Sequence, residues 1–207
     1  MPADAHRLDS LQKVRAIIGE ESPGVRLKVN DALDEPSLAF LARAPFALLA
    51  TCDADGRPDV SPKGDGPGFA VALDERTLLI PEQKGNRLIF GLQNILATSR
   101  VALIFLVPGT EETLRVHGRA ELTADPALLA RLEQRGKPAL LAIRVHVERC
   151  FFHCAKAFRR SKLWSPETWP APLRISFGAM FAKKTGAGSD LAAKIDASIE
   201  ENYRTEL

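Results

Sequence analysis

The sequence is poor in cysteine and aromatic residues and has no large excess of one charge. Its 207 residues include three cysteines, two tryptophans and one tyrosine, and its formal net charge is only +2. Three cysteines are too few for a disulfide scaffold, so we expect a reducing, cytoplasmic setting. Surfaces that bind nucleic acid are strongly basic, so this charge gives no reason to expect such a partner. Any anionic partner is therefore expected to be a small molecule.

Long apolar runs are also missing. The longest strongly apolar run, VALIFLVP at residues 101–108, is far shorter than the roughly 20 residues that cross a bilayer. The N-terminal segment is typical of an amphipathic helix and not of a signal peptide, with Leu11, Val14, Ile17 and Ile18 on one face. We therefore expect a soluble protein with no membrane partner.

The motifs of hydrolases and phosphate-loop enzymes are absent. The sequence contains no G-x-S-x-G, no H-E-x-x-H and no G-x-x-x-x-G-K-[ST]. His146, Glu148 and Cys150 alternate on one face of a predicted strand, and His153 and Cys154 follow. No second set of ligands stands at a conventional spacing, so we predict no metal site.

Short apolar and alternating segments predict a mainly β fold with helices. Six short strands in mostly hairpin order favour a small antiparallel barrel over a parallel, doubly wound sheet. The stretch at residues 100–107 is continuously apolar, as in a strand buried on both faces, whereas residues 113–122 alternate. The apolar face of that alternation contains Leu114, Val116, Ala120 and Leu122.

Along the sequence, helices are predicted before the first strand, between strands and after the last strand. Asp34 is placed to cap a helix that ends at Pro45, and Asn86 is placed to cap the next one. Residues 126–134 and 190–203 predict two more helices.

We predict one domain spanning residues 1–207. It has an N-terminal helical segment at residues 1–44, a barrel at residues 45–151 and a C-terminal extension at residues 152–207. The end of that extension is equally consistent with a lid and with a dimer brace.

Two loops together suggest an anion site. Lys63 stands in SPKGDGPGF, residues 61–69, and Arg87 follows Asn86 in IPEQKGNR, residues 80–87. The hairpin order brings these segments close, so two cations and the free amides of a helix start can bind a phosphate monoester. The alternatives are a Pro/Gly-rich turn without a ligand and a capped surface helix with solvated charges.

A basic and aromatic segment, HCAKAFRRSKLW at residues 153–164, follows the last predicted strand. Lys156 and Lys162 supply charge within it, and Trp164 supplies an aromatic plane. Such a segment can contact a large anionic aromatic ligand through charge and stacking. The alternative is a solvated helical face.

Four fragments in this order, SPKGDGPGF, IPEQKGNR, LRVHGRAEL and HCAKAFRRSKLW, resemble the pyridoxamine 5'-phosphate oxidase-like flavoproteins. The resemblance runs from about residue 46 to residue 151, and it is most similar to a bacterial subgroup of unknown substrate. It implies a six-stranded antiparallel split β-barrel that binds FMN, with N- and C-terminal helical extensions. It also implies a homodimer with FMN at the subunit interface.

The resemblance implies the residues that contact FMN. They come from the strand RPDVSPK at residues 57–63, the helix start after the third barrel strand, the strand at the flavin ring edge and the basic segment reaching a partner's flavin. These residues are Asp59, Val60, Ser61, Lys63, Pro81, Asn86, Arg87, Thr113, Arg115, Lys156, Ser161, Lys162 and Trp164.

The implied activity is an FMN-dependent oxidoreductase that transfers a hydride through flavin N5 with a small-molecule substrate. Leu88 stands where the true oxidases carry a second basic residue, and their C-terminal substrate-binding residues are not recognisable here. The resemblance therefore implies flavin binding more firmly than vitamin B6 oxidation. The alternative is a non-catalytic module that holds FMN, haem or another tetrapyrrole, with His117, His146 and His153 as candidate haem ligands.

Overall fold

The computed structural model describes residues 6–133, 136, 138–186 and 188–205. The chain divides into two compact units. The first contains Met1–Glu82 and Ile89–Ala155, and the second contains Gln83–Leu88 and Lys156–Leu207. The single domain predicted from the sequence stays a prediction.

The strands of the first unit form one antiparallel sheet in the order β2-β1-β5-β6-β7-β4-β3. The bounds are β1 Phe46–Cys52, β2 Pro58–Gly64, β3 Val71–Asp74, β4 Thr77–Glu82, β5 Arg100–Leu106, β6 Thr113–Thr123 and β7 Leu141–His153. The mainly β, antiparallel fold with helices is confirmed, but the described residues form seven strands and not the six of the predicted barrel. β3 and β4 pair as a hairpin.

The helices of the first unit are α1 Leu11–Ile18, α2 Glu35–Leu41, α3 Phe90–Thr98 and α4 Pro126–Ala130. The predicted cap of α2 is confirmed, since the Asp34 carboxylate accepts a hydrogen bond from the Ser37 amide at 3.0 Å. The helix ends before Pro45, at Leu41. The fourth helix was predicted to reach Gln134, which lies outside the described residues.

The core of the first unit lies between one face of the sheet and helices α2 and α3. Alternate residues of each strand enter it, as the two-residue period of a strand requires. In β5 the buried residues are Val101, Leu103 and Phe105, while Ala102 and Ile104 are only half-buried. The prediction that this strand is buried on both faces was therefore wrong, and one side of it forms a half-buried outer face.

The sheet curls so that its two ends approach each other. β2 is the first strand in the sheet order and β4 is the sixth, yet the side chains of Lys63 on β2 and Glu82 on β4 form an ion pair. The rings of Phe69, just before β3, and Phe105 on β5 lie 6.3 Å apart between centroids. Both contacts join strands that are separated by others in the sheet.

A β-bulge at Glu148 exchanges the two faces of β7, so that the residues after it alternate in the opposite phase. His117 pairs with Arg149 while the next residue of β6, Gly118, pairs with Val147, so Glu148 has no partner residue on β6. The extra residue sends Cys150 into the core with 0% exposure. The prediction that His146, Glu148 and Cys150 share one face was wrong for this reason.

Gly118 allows the two strands to approach closely at the bulge. A Cβ atom at this position would lie 2.0 Å from the carbonyl oxygen of His146. Real Cβ atoms do not approach backbone oxygens so closely, so residue 118 has to be glycine for β6 and β7 to pair as they do.

The second unit contains the remaining helices, α5 Lys156–Ser161, α6 Phe177–Thr185 and α7 Ser189–Thr205. α6 and α7 form a hairpin in which a Cβ on Gly178 would lie 2.0 Å from the Ala192 carbonyl oxygen. The Asp196 carboxylate accepts hydrogen bonds from the Ser176 hydroxyl and, at 2.8 Å, from the Gly178 amide. α7 confirms the helix predicted at residues 190–203, whereas α6 was not predicted.

Among the described residues, no helix combines the length and apolar character needed to cross a membrane.

Candidate cofactor site

Three of the predicted FMN residues lie in a row on β2. Asp59, Ser61 and Lys63 alternate along the strand, are half-buried and share the face that turns toward the core. A Cβ placed on Gly91 in the first turn of α3 would lie 3.7 Å from Ser61 Oγ and 3.8 Å from Asp59 Oδ2. Asp59, Ser61 and Lys63 therefore form a polar strip, and its first two residues lie next to the first turn of α3.

A buried hydrogen bond fixes α3 beside this polar strip. The Asn94 side-chain amide donates to Thr51 Oγ1 at 3.0 Å, and both residues are almost fully buried. Sequence reasoning did not identify this pair. An asparagine among the leucine and isoleucine residues of α3 was the available signal, since a buried carboxamide requires a partner.

Lys63, predicted to bind phosphate, forms an ion pair with Glu82 at the end of β4. The side chains are only 14% and 24% exposed. Because the carboxylate neutralises the ammonium, a phosphate that uses Lys63 has to share it with Glu82 or displace the carboxylate. The ion pair with Lys63 makes Glu82 a functional candidate. The sequence analysis did not identify it, because its charge is opposite to that of the residues predicted to bind an anion.

The predicted cap of α3 was wrong. The helix begins at Phe90, and its N-cap residue is Ile89, without a side-chain hydrogen bond. Asn86 Oδ1 instead accepts a hydrogen bond from the Leu88 amide at 2.9 Å, closing a local turn. Arg87 has a φ of 62°, in the left-handed region, so the helix does not extend back to it. Asn86 and Arg87 belong to the second unit.

Arg115 lies on the outer face of the sheet. Its cross-strand neighbours are Ile104 on β5 and Phe151 on β7, and its Cζ atom lies 5.9 Å from the centre of the Phe151 ring. Its Nε atom is buried and has no hydrogen-bond partner within the described part of the chain. A buried donor of this kind is rare in folded proteins and marks a place where an acceptor is missing.

The surroundings of Arg115 are aromatic and cationic. The His117 ring stacks on Phe151 with centroids 5.9 Å apart, and its Nδ1 lies 3.3 Å from Arg149 Nη2. Burial, followed by the charges of Arg149 and Arg115, lowers the pKa of His117 below its ordinary value of 6.5. Burial and the charge of Arg115 also lower the pKa of His153. Near neutral pH the arginines therefore carry the positive charge here.

The predicted residues of the first unit lie on different sides of the sheet. Asp59, Ser61 and Lys63 occupy the core side of β2, whereas Arg115 lies on the outer side. The other residues of this group are Val60, 58% exposed on β2, Thr113, buried on β6, and Pro81, buried on β4. The structure thus brings Asp59, Ser61 and Lys63 together and places Arg115 on the opposite face.

The remaining predicted residues lie in the second unit, in and just after α5. The Ser161 hydroxyl donates to the Phe158 carbonyl oxygen at 3.1 Å, and the Trp164 ring stacks on Phe158 with centroids 5.7 Å apart. Lys156 is the first residue of α5, and Lys162 has a φ of 51°. Their contact with a flavin stays a prediction.

The match to a known protein family covers all seven strands of this sheet. The family model described as pyridoxamine 5'-phosphate oxidase matches residues 33–154, which is more than half of the chain. The chain belongs to this family. The match begins just before α2 and ends after β7, so the helices α5 to α7 lie beyond it. No curated protein matches the chain.

Several solved structures are similar to part of the chain. HupZ of Group A Streptococcus is 22% identical, with 58% of this chain and 94% of the other covered and a TM-score of 0.47. An FMN-binding protein from Syntrophomonas wolfei is 11% identical, with 57% and 82% covered and a TM-score of 0.45. A protein from Clostridium acetobutylicum related to general stress protein 26 is 15% identical, with 58% and 90% covered and a TM-score of 0.43.

Proposed function

We propose that the chain is an FMN-dependent oxidoreductase that acts on a small-molecule substrate as a homodimer, and that its curled sheet is the split barrel of the family. The observation that carries the proposal is the buried, unpartnered Nε atom of Arg115 on the outer face of the sheet. Membership of the family supports flavin as the ligand.

The chemistry of Arg115 fits the pyrimidine edge of a flavin. A buried donor without an acceptor destabilises a protein by roughly 1–3 kcal/mol, so a ligand oxygen or nitrogen placed there would stabilise it. The side chain of Arg115 is a guanidinium cation. It would therefore favour a ligand that gains negative charge at that edge, as a flavin does on reduction.

In the sheet unit, the phosphate end is assigned to Lys63, with Ser61 and Asp59 along the ribityl chain. Phosphate contacts of Asn86 and Arg87 stay a prediction from the family resemblance. Lys63 is paired with Glu82, so we expect the carboxylate to move away when a phosphate dianion binds. Glu82 would then lower the affinity for the phosphate relative to a chain without this carboxylate.

The division of residues between two faces supports a site shared by two subunits. Lys63 on the core side of β2 and Arg115 on the outer side cannot both line one face of a flat ligand within a single chain. Beside Arg115 the outer face is apolar and only half-buried, with Leu48 and Ile104 in the same cross-strand row. We expect a second subunit to cover this face.

Bound FMN would supply a hydride acceptor at N5. Arg115 would hold a positive charge near the other end of the ring system, and Trp164 and Lys156 would enclose the site from the partner subunit. No side chain of this chain is assigned as a catalytic acid or base.

A tetrapyrrole carrier has less support. The His117 ring is stacked on Phe151, and its Nδ1 lies 3.3 Å from Arg149 Nη2. A haem iron would have to compete with the neighbouring arginine charges for this ring.

The visible absorbance spectrum of the purified protein, before and after incubation with excess FMN, tests the proposal. We expect flavin bands, bleaching by NADH or NADPH and recovery in air. Arg115→Gln should weaken FMN binding by roughly tenfold or more, whereas Arg100→Gln, which changes an exposed arginine of β5, should not. A Soret band would favour the tetrapyrrole module, and a protein that stays colourless would contradict both functions.

The role of Glu82 has a matched test. Glu82→Gln should tighten FMN binding and leave the binding of riboflavin, which has no phosphate, unchanged. Equal effects on both ligands would show that Lys63 and Glu82 do not face the phosphate.

A further inference from the structure

Arg149 presents a guanidinium group on the outer face of the sheet that the flavin assignment does not use. It is an exposed residue of β7, directly opposite His117 on β6. Its Nη2 atom donates to Nδ1 of His117 at 3.3 Å. Within the described part of the chain this is the one hydrogen bond or ion pair of the guanidinium, so its remaining N–H groups are left for a ligand.

The β-bulge at Glu148 places this arginine on the outer face. The bulge leaves two consecutive side chains, those of Glu148 and Arg149, exposed on the same side of β7. The Glu148 carboxylate accepts from Arg119 Nε at 3.2 Å and lies 3.4 Å from Arg100 Nη1. The carboxylate next to Arg149 in the chain is therefore engaged by two other arginines.

The imidazole of His117 holds the guanidinium in position. Its ring is half-buried and stacks on Phe151 with centroids 5.9 Å apart. Because an arginine has only donors, Nδ1 of His117 accepts, and the neutral ring carries its proton on Nε2. Burial, followed by the charges of Arg149 and Arg115, lowers the pKa of His117 below its ordinary value, which favours the neutral form. A guanidinium held in this way loses less freedom when it binds a ligand.

Small side chains beside His117 leave room for a ligand. The cross-strand row continues from His117 to Ala102 on β5 and Ala50 on β1, and both alanines are half-buried. The next row on this face lies about 7 Å away along the strands and contains Ile104 and Arg115. A small ligand on the alanine row would therefore lie beside the group assigned to the flavin ring, and a second subunit on this face would close the site.

We propose that Arg149 binds the carboxylate of a small organic substrate and that His117 is the positioning residue that holds Arg149 for it. The inference rests on the proposed function, because Arg115 in the next row is assigned to the flavin. The paired N–H groups of a guanidinium match the two oxygens of a carboxylate. One guanidinium beside a neutral imidazole matches a single negative charge, so a phosphate dianion is a less suitable ligand.

Binding is tested on the purified full-length protein with benzoate, measured by calorimetry and by ligand-observed NMR. Benzamide has the same ring without the charge. We expect saturable binding of benzoate and binding of benzamide that is weaker by roughly tenfold or more. Equal affinities, or no saturable binding of benzoate, would overturn the proposal.

One variant and a matched control locate the binding site. Arg149→Gln should weaken binding of benzoate by roughly tenfold to a hundredfold and leave binding of benzamide unchanged. Arg144→Gln changes an exposed arginine of the same strand that pairs with Glu121, and it should change neither. Equal losses in the two variants would overturn the placement, and thermal unfolding midpoints show whether each variant is folded.

Sedimentation of the same proteins tests the competing role of Arg149 as a contact between subunits. We expect Arg149→Gln to leave the association of the subunits unchanged. Weaker association with unchanged benzoate binding would mean that Arg149 binds a carboxylate of the partner subunit, and it would overturn the substrate site.

Two variants of His117 test its positioning role. His117→Leu removes the acceptor of Arg149 and should weaken benzoate binding several-fold, whereas His117→Gln supplies a side-chain oxygen as acceptor and should retain most of the affinity. Nitrogen NMR of the wild-type imidazole should show the proton on Nε2. Equal losses in both variants, or a proton on Nδ1, would contradict the positioning role.

Titrations with FMN separate this inference from the proposed function. Benzoate binding that depends on Arg149 in a protein that binds no flavin would contradict the proposed function and leave the carboxylate site standing. Flavin binding without benzoate binding would contradict the inference alone. In the FMN-loaded protein benzoate should shift the flavin absorbance bands, and binding without any shift would overturn the assignment of the site to the substrate.

Discussion

The sheet unit and the helical unit are stabilised in different ways. Most strands of the first unit contribute side chains with almost no exposed surface, such as Leu49, Leu103 and Val116. In the helices α6 and α7 the only described buried residue is Gly178. Apolar burial therefore stabilises the sheet, whereas the helical hairpin depends on a close backbone approach and on the Asp196 carboxylate. We expect changes of the same kind to have larger effects in the sheet.

The largest effect is expected for Gly118→Ala. The new Cβ would lie 2.0 Å from the His146 carbonyl oxygen, so β6 and β7 would have to separate, which should lower the free energy of unfolding by roughly 3 kcal/mol or more. Urea denaturation measures it. Gly91→Ala is the matched control, because its Cβ would meet atoms only at 3.7 Å and beyond. A Gly118→Ala protein as stable as the wild type would contradict the close approach.

Gly178→Ala tests the same contact in the helical unit. Its Cβ would also lie 2.0 Å from a carbonyl oxygen, that of Ala192, but few buried groups depend on the hairpin. We expect local opening of α6 and α7 to become easier by roughly 2 kcal/mol while the sheet keeps its stability. Hydrogen exchange resolved by residue measures both. Gly188→Ala, with open space around the new Cβ, should change neither, and loss of protection in the sheet would show that the units are not independent.

A smaller effect is expected for the ion pair that joins the ends of the sheet. Lys63→Met leaves the partly buried Glu82 carboxylate unpaired and should lower the free energy of unfolding by roughly 1–2 kcal/mol. The exposed pair of Arg204 and Glu201 on α7 is the comparison, and Arg204→Gln should change stability by less than about 0.5 kcal/mol. Thermal unfolding at low and high salt measures both changes. Equal effects would mean that burial does not matter to the pair.

The smallest effect is a pH dependence at His117. Its pKa in the folded protein lies below its ordinary value of 6.5, so the folded state binds the proton less readily than the unfolded state. The resulting stability is fully present above pH 6.5 and is lost as the pH falls toward the folded pKa. Between pH 7 and pH 5 the wild type should therefore lose more stability than His117→Gln, measured by urea denaturation at each pH. Parallel losses would show that other groups account for the whole dependence.

The sequence predicted the regular parts of the sheet unit well. The alternation that places Leu114 and Val116 in the core is confirmed, because a strand with one buried face shows its period directly in the sequence. The bulge at Glu148 was not predicted, since one unpaired residue leaves no mark on composition. α6 was missed although Phe177, Met180 and Phe181 stand three and four residues apart, and these side chains are about half exposed. In these cases tertiary contacts decide the local structure.

The candidate site was predicted less completely than the fold. Lys63 was identified by its place at a strand end, but Glu82 beside it was not, because only the curl of the sheet brings β2 and β4 together. Arg115 was identified through the family resemblance, and the missing partner of its Nε is visible only in the structure. Asn86 was wrongly predicted to cap α3, since its side-chain oxygen Oδ1 accepts a hydrogen bond from the Leu88 amide before the helix begins.

The unpaired residue Glu148 also determines which of the last five side chains of β7 face the core and which face outward. Removing Glu148 would restore an unbroken ladder with β6 and leave every later residue opposite its present partner, because Arg149 and Val147 already pair with the adjacent residues His117 and Gly118. Cys150 and Phe152 would stay in the core, and Phe151 and His153 would stay on the outer face. A ladder that kept Glu148 but paired it with β6 would instead exchange the two faces and place an imidazole among apolar side chains. The bulge therefore lets a strand with one extra residue keep its aromatic surface beneath Arg115.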